Sequence, residues 1–147
     1  MSHQDRVVGQ ILRALPEYFG FEAGIVDFCE AARKMKNTTY AAITDDGTRA
    51  GFLLLTMNNN MTAEIWVMGV LPEFHGHGIG KALLERAETE SRKRGRRYIM
   101  ARTIGPSQND PNYLKTFNFY LHNGYSMLVE YDFVWKGDYC AFMVKKL

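Results

Sequence analysis

The most informative segment of the chain is Val70-Leu71-Pro72-Glu73-Phe74-His75-Gly76-His77-Gly78-Ile79-Gly80-Lys81-Ala82-Leu83-Leu84. A strand-like apolar run ends at the proline, a glycine-dense turn follows, and an amphipathic helix begins directly after it. Glycines leave backbone N–H groups uncovered, and the N-terminus of a helix carries a partial positive charge. This combination predicts a seat for a phosphate group where the helix begins.

Two common phosphate-binding loops do not fit this spacing. A P-loop places four residues between its first glycine and a Gly-Lys pair, and Ser or Thr follows the lysine. Here three residues separate Gly76 from Gly80, and Ala82 follows Lys81. A dinucleotide-binding Gly-x-Gly-x-x-Gly pattern fails because its last position falls on Lys81 or on Leu83. The turn therefore belongs to another class of phosphate site.

Length and composition narrow the class of protein. A chain of 147 residues with 46% hydrophobic residues predicts one domain, residues 1–147, around a single core. The net charge of only +2 argues against a nucleic-acid partner. The basic run at 92–97 is interpreted as the cationic end of a helix, with contact to a polyanion as the alternative.

Cysteines, histidines and hydropathy add three further expectations. Cys29 and Cys140 lack metal-type spacing, so we expect buried, reduced thiols. His3, His77 and His122 have no paired ligand spacing, which makes a metal site improbable. With no signal peptide or membrane-length apolar run, the sequence predicts a cytoplasmic protein that does not enter a membrane.

Hydrophobic periodicity predicts the element order α-α-β-β-β-α-β-α-β-β. Helical stripes cover residues 8–15 and 25–32, and three strands follow at 40–43, 50–57 and 63–70. The helix after the glycine-rich turn covers about 78–94 and leads to a strand at 98–103. A short helix at 112–122 and a strand pair at 125–133 and 139–144 complete the chain.

The glycine-rich turn resembles the acyl-CoA signature of the GNAT N-acetyltransferase superfamily. Gly78 and Gly80 match the two signature glycines, whereas His75 stands where the signature usually has Gln or Arg. The resemblance implies an α/β fold with a mixed, mostly antiparallel central sheet flanked by helices and split between the strands around 63–70 and 98–103. The family usually opens with a strand, which is predicted here to be short or absent.

The resemblance also implies acetyl-CoA as co-substrate, without a metal. The turn would hold its pyrophosphate, and the backbone of Met68 and Val70 would pair with the pantetheine arm, with Gly69 easing a bulge. The Met68 N–H would polarise the acetyl carbonyl. The cofactor-binding residues implied are Met68, Gly69, Val70, His75, Gly76, His77, Gly78, Ile79, Gly80, Lys81, Asn112, Tyr113 and Tyr120. The usual Asn of this last helix aligns with Tyr113, and Asn112 lies one residue out of register.

A candidate acid lies in the segment from Thr116 to Tyr125, which resembles the family's Phe-Tyr-x-x-x-Gly-Phe pattern. Tyr120 matches the tyrosine that is thought to protonate the leaving thiolate in many relatives, and Tyr125 replaces the usual Phe. A phenol with a pKa near 10 can donate a proton to a sulfur that gains charge. The alternative is that Tyr120 only packs the helix against the sheet.

A candidate base is Glu64, six residues before Val70, at the position of the catalytic glutamate in histone-modifying members. Strand periodicity puts Glu64, Trp66, Met68 and Val70 on one face unless a bulge intervenes. A water molecule as the base, or a structural ion pair of this glutamate, are the alternatives. Three competing carboxylates lie on the second predicted helix, namely Glu22, Asp27 and Glu30.

The function implied is transfer of an acetyl group from acetyl-CoA to the primary amine of a small molecule by direct attack. A protein or peptide acceptor and a non-catalytic acyl-CoA sensor are the alternatives. The terminal strand pair is a candidate surface for a homodimer. The remaining aromatic residues are expected to fill the core, with an acceptor pocket as the alternative; they are Tyr18, Phe19, Phe21, Trp66, Tyr113 and Tyr131.

Overall fold

The computed structural model describes residues 3–14, 29, 30, 33 and 37–147. The helices are α1 (His3–Arg13), α2 (Ile79–Lys93) and α3 (Pro111–His122). The strands are β1 (Asn37–Ile43), β2 (Arg49–Met57), β3 (Thr62–Val70), β4 (Tyr98–Ile104), β5 (Ser126–Trp135) and β6 (Asp138–Lys146). Two short 3-10 helices, Pro72–Phe74 and Pro106–Gln108, lie in the loops before α2 and α3. The second predicted helix lies largely outside the described residues.

The strands form one sheet in the order β1-β2-β3-β4-β6-β5. The pair β3–β4 is parallel, and every other neighbouring pair is antiparallel. This arrangement confirms the predicted α/β fold with a mixed, mostly antiparallel sheet. Within the described residues no strand precedes α1.

Helices cover both faces of the central strands. Leu53 and Leu55 of β2 belong to the core under α2 and α3, whereas Phe52 and Leu54 point to the opposite face. All four are essentially inaccessible to solvent, which explains why β2 is an unbroken apolar run. On that opposite face α1 contacts β2 and β3, and its Ile11 and Leu12 are fully buried.

The strands β3 and β4 separate part of the way along their length. Their pairing ends at Ile65 and Ala101, although β3 continues to Val70 and β4 to Ile104. The predicted split between these strands is therefore present. Because the unpaired edges of both strands face each other, the split presents backbone hydrogen-bonding groups to whatever enters it.

A β-bulge lies next to the split, but at Trp66 and not at Gly69. Leu54 of β2 pairs with Val67 and Leu55 pairs with Ile65, so Trp66 is the extra residue of β3. The predicted bulge at Gly69 is wrong because Gly69 pairs regularly with Phe52. The bulge shifts the alternation of side chains along β3, with consequences for the site described below.

The described residues also bear on the cysteines, on membrane-spanning helices and on metal-binding groups. Cys29 and Cys140 are buried and form no disulfide, as expected for reduced thiols. No helix in the described part of the chain has the length and apolar character needed to cross a bilayer. The same residues contain no group of three or more His, Cys, Asp or Glu side chains that could hold a metal ion.

Candidate active site

The turn before α2 has the geometry of an anion seat. Gly76 and Gly78 both have φ of 78°, a conformation that side chains other than glycine rarely adopt, and Gly78 is the N-cap of α2. A Cβ at either position would meet no atom within 4 Å, so the space above the turn is open. The first turn of α2 carries Lys81 and no acidic residue. Uncovered N–H groups, the helix dipole and this lysine all favour a negative charge here.

Gly80 has a different structural role from the other two glycines. A Cβ at Gly80 would lie 3.1 Å from Cζ of Phe119 on α3 and 3.9 Å from Cε of Met68 on β3. The absent side chain therefore allows α2, α3 and the end of β3 to approach closely. Its place in the signature is explained by helix packing at least as directly as by room for a phosphate.

His75 joins the turn to the end of β3, and His77 forms a hydrogen bond within the turn. His75 Nε2 lies 2.8 Å from the Val70 carbonyl oxygen, and His77 Nδ1 lies 3.0 Å from the His75 carbonyl oxygen. Because a carbonyl oxygen only accepts, each of these ring nitrogens carries the hydrogen. The imidazole that replaces Gln or Arg in the signature thus holds the turn in place through a direct contact with the strand.

The backbone of β3 presents polar groups to the split at the two predicted positions. The Leu71 N–H donates to the Ala50 carbonyl at 2.8 Å, which makes these two residues a hydrogen-bonded pair of the antiparallel β2–β3 ladder. Hydrogen-bonded and non-bonded pairs alternate, so the backbone groups of Met68 and Val70 point away from β2. The His75 bond to Val70 is consistent with that direction. An extended ligand in the split can pair with Met68 as an added strand would.

Tyr120 lies on the inner face of α3 and is only 4% exposed. Its ring makes edge contacts with Phe119 and Tyr125, with centroid distances of 5.7 Å and 5.3 Å. Burial raises the pKa of the Tyr120 phenol above its ordinary value, so the group keeps its proton at neutral pH. Its O–H has no hydrogen-bond partner within the described part of the chain.

Asn112 and Tyr113 lie in the first turn of α3. The Asp110 side chain caps this helix, because its Oδ1 accepts from the Asn112 N–H at 2.9 Å. Both side chains are half-buried. Their contact with a cofactor stays a prediction.

Glu64 lies on the opposite face of the sheet from the other β3 residues of the site. Ala63 and Ile65 pack into the core under α2 and α3, and Met68 and Val70 pack against that same core. The bulge at Trp66 produces this arrangement, because one extra residue inverts the alternation after Ile65. In a strand without a bulge, Glu64 would share a face with Met68 and Val70. The bulge places it on the opposite face.

Both carboxylate oxygens of Glu64 accept hydrogen bonds. Arg102 Nε donates to Oε1 at 2.9 Å, and Asn58 Nδ2 donates to Oε2 at 2.6 Å. The carboxylate is buried, and Arg102 balances its charge. This geometry matches the structural ion pair named above as an alternative, and the role of base stays a prediction. Of the competing carboxylates, Glu30 is exposed, and Glu22 and Asp27 lie outside the described residues.

The prediction of core positions is wrong for two aromatic residues. Trp66 is 40% exposed and Tyr131 is 39% exposed. Trp66 occupies the bulge, and Tyr131 packs against exposed Phe133 and against Phe142. Tyr113 is half-buried, and Tyr18, Phe19 and Phe21 lie outside the described residues.

Sequence reasoning also missed Arg102. A single charged residue in the otherwise apolar stretch of β4 was the available signal. Its partner Glu64 lies 38 positions earlier in the chain, so only the parallel pairing of β3 with β4 brings the two side chains together.

Comparison with known proteins agrees with this fold. The model of the acetyltransferase (GNAT) family matches residues 6–125. No curated protein matches the sequence. A GNAT-family protein from Desulfovibrio desulfuricans superposes with a TM-score of 0.84 at 20% identity, over 99% of this chain and 94% of the other. The chain therefore belongs to the GNAT family and is an acetyltransferase.

Two further structures have named substrates or ligands. An aminoglycoside 6'-N-acetyltransferase complexed with coenzyme A superposes with a TM-score of 0.75 at 18% identity, over 97% of this chain and 89% of that one. A nourseothricin acetyltransferase superposes with a TM-score of 0.67 at 23% identity, over 76% of this chain. This protein spans 66% of the nourseothricin enzyme's chain. At these identities the likeness supports a common fold.

Proposed function

We propose that this protein transfers the acetyl group of acetyl-CoA to the primary amine of a small molecule. The observation that carries the proposal is the split between β3 and β4, because the backbone of Met68 faces into it and the open glycine turn lies at its mouth. The coenzyme A bound to the aminoglycoside enzyme supports the same co-substrate. The predicted cytoplasmic location and homodimer remain part of this proposal.

The proposed position of acetyl-CoA follows from the groups that face the split. The diphosphate lies against the N–H groups of residues 76–80, where the dipole of α2 and Lys81 favour negative charge. The pantetheine arm runs along Met68 and Val70 and continues the sheet. The Met68 N–H then donates to the thioester carbonyl, and one such donor can lower the barrier by about 3 kcal/mol.

The proposed reaction is a direct attack. The amine nitrogen forms a bond to the thioester carbonyl carbon, the carbon–sulfur bond breaks, and the electron pair leaves with the sulfur. Tyr120 donates a proton to this thiolate, and the proton of the amine passes to water, with Glu64 as the carboxylate behind it. Tyr120 lies on the face of the sheet that α2 and α3 cover, and Glu64 lies on the other face. This separation suits an acid that serves the leaving group and a base that serves the nucleophile.

The cofactor seat can be tested with two matched glycine variants. Gly78→Ala and Gly95→Ala both place a side chain at positive φ in open space, but Gly95 lies beyond the opposite end of α2. Both changes should cost about 1 kcal/mol of stability. Calorimetric titration of acetyl-CoA should show at least about tenfold weaker binding for Gly78→Ala, equivalent to about 1.4 kcal/mol, and wild-type affinity for Gly95→Ala. Equal affinities in both variants would contradict the proposed seat.

The class of acceptor is tested with an amine panel. Acetyl-CoA consumption is followed with small amines and with lysine-containing or free N-terminal peptides at equal amine concentration. Turnover of small amines supports the proposal, and a preference for peptides favours the protein-directed alternative. Tight binding of acetyl-CoA without turnover of any amine favours the sensor alternative.

A further inference from the structure

Arg102 and Trp66 bridge the two strands at the point where they separate. The last residues of the parallel pairing are Ile65 and Ala101, so Trp66 and Arg102 are the next residue of each strand. Cζ of Arg102 lies 5.0 Å from the centroid of the Trp66 ring. This cation–π contact therefore lies at the base of the split, on the face of the sheet that carries Glu64.

The Arg102 guanidinium is held in place, but only part of its hydrogen-bond donors have partners within the described residues. Its Nε donates to the buried Glu64, and its Cζ lies over the Trp66 ring. Its two η nitrogens have no hydrogen-bond partner within the described part of the chain, and the side chain is 28% exposed. Asn58 fixes the other oxygen of Glu64 and so keeps the pair in one arrangement. The result is an oriented fork of N–H donors that opens to solvent beside the split.

A fork of this kind selects planar oxyanions. A guanidinium pairs with a carboxylate through two parallel N–H···O bonds, and these charge-assisted bonds are stronger than neutral ones. Because packing and the ion pair already fix Arg102, little conformational entropy is lost when such a ligand binds. The 40% exposed Trp66 adds an apolar surface next to the fork.

We propose that Arg102 binds a carboxylate of the acceptor, so that the preferred acceptors are amines that also carry a carboxyl group. This inference rests on the proposed acetyl transfer and specifies its substrate class. The charges at this position favour an anionic group on the acceptor. Glu64 is already paired with Arg102, and Arg102 would repel a cationic group of the acceptor. The carboxylate anchors the acceptor beside the split, and its amine reaches the thioester.

The experiment compares matched substrate pairs that differ only in the carboxylate, phenylalanine against phenethylamine and lysine against 1,5-diaminopentane. We expect kcat/KM to favour the amino carboxylate by about tenfold or more, the size of one charge-assisted hydrogen bond. Arg102→Gln should raise the KM of the amino carboxylate by about the same factor and leave the KM of the plain amine unchanged. Arg102→Lys should recover only part of the preference, because lysine lacks the fork.

The matched control is Arg94→Gln. Arg94 Nε also pairs with a glutamate, Glu90 Oε1 at 2.8 Å, but it caps the exposed end of α2. This variant should keep the wild-type preference. If Arg102→Gln alone leaves Glu64 uncompensated and the chain does not fold, the double variant Glu64→Gln with Arg102→Gln removes both charges together. Its folding is checked by thermal unfolding before the kinetic comparison.

The outcomes separate this inference from the proposed function. If acetyl-CoA does not bind, the proposed function is overturned. Acetyl transfer in which plain amines equal or exceed their carboxylated partners overturns the role of Arg102 and leaves the acetyltransferase intact. If the enzyme acetylates none of the amino carboxylates in the panel, the role of Arg102 is overturned as well. As a readout independent of turnover, titration of phenylalanine into the protein with coenzyme A present should give binding that Arg102→Gln abolishes.

Discussion

Nζ of Lys145 lies 3.0 Å from Oε1 of Glu88, in an ion pair that joins β6 to α2. The same ammonium donates to the Asn123 carbonyl at 2.9 Å, and the Tyr125 hydroxyl donates to Glu88 at 3.2 Å. These contacts tie the C-terminal end of α3 to α2 and to the sheet. Tyr125 in turn packs against Tyr120, so the network helps to fix the candidate acid.

Loss of Lys145 should destabilise the protein strongly. Glu88 is buried, so Lys145→Met removes its nearest cation and leaves only the exposed Arg92, whose Nη2 lies 4.0 Å from Oε2, at a cost of about 3 kcal/mol. Urea unfolding measures this change. The control is Glu85→Gln, which breaks the exposed pair with Lys81 and should cost less than about 1 kcal/mol. Similar unfolding midpoints for the two variants would show that the buried network contributes little.

Tyr120→Phe should lower kcat by about a hundredfold to ten-thousandfold and change acetyl-CoA affinity little. The reason is that the ring and its packing remain while the proton donor is removed, and such donors contribute about 10²–10⁴ in rate. Steady-state kinetics and calorimetry are measured together. Tyr98→Phe, at an exposed tyrosine at the start of β4, is the control and should leave both unchanged. An unaltered kcat would remove Tyr120 from the role of acid.

Alkaline pH should destabilise the protein through Tyr120 and Tyr125. Burial raises the pKa of both phenols above the ordinary value of 10.0, and Glu88 raises that of Tyr125 further. Because the protonated form is favoured in the folded state, this stability is fully present below pH 10 and is lost as the pH rises above 10. Tyrosinate absorbance at 295 nm should show that these two of the eight tyrosines ionise only with unfolding. Ionisation of all eight in the folded protein would contradict the burial described here.

Gly80→Ala should separate α2 from α3, because its Cβ would lie 3.1 Å from Phe119. The expected loss of stability is about 1–3 kcal/mol, typical of an overpacked contact. Phe119→Leu in the same chain should recover part of it by making room, which a double-mutant cycle in urea unfolding detects. Additive losses would mean that Phe119 is not what excludes a side chain at position 80.

The sequence predicted the architecture well because each element has a strong local signal. The unbroken apolar run of β2 indicates a strand that is covered on both faces, and the glycine turn before α2 indicates where that helix begins. The bulge at Trp66 was not predictable in the same way. The bulge depends on how β2 and β3 pair. A shift of one residue in the pairing register does not change which residues the strand contains, so the residue types alone do not reveal it.

The site was predictable where backbone geometry decides it, and less so where distant side chains meet. The positive φ of Gly76 and Gly78 follows from the signature turn. The pairing of Glu64 with Arg102 depends on strands that are far apart in sequence, and the contact of Gly80 with Phe119 depends on the docking of two helices. Sequence alone therefore placed Glu64 on the face of Met68 and Val70 only for a strand without a bulge, and the bulge at Trp66 moves it to the other face.

A crystal structure of the protein with acetyl-CoA would show directly whether the co-substrate binds in the split. The diphosphate should accept hydrogen bonds from the N–H groups of residues 76–80, and the pantetheine arm should lie between β3 and β4 along Met68. Density for the diphosphate at any other place on the molecule, with the split closed or filled by side chains, would contradict this binding mode.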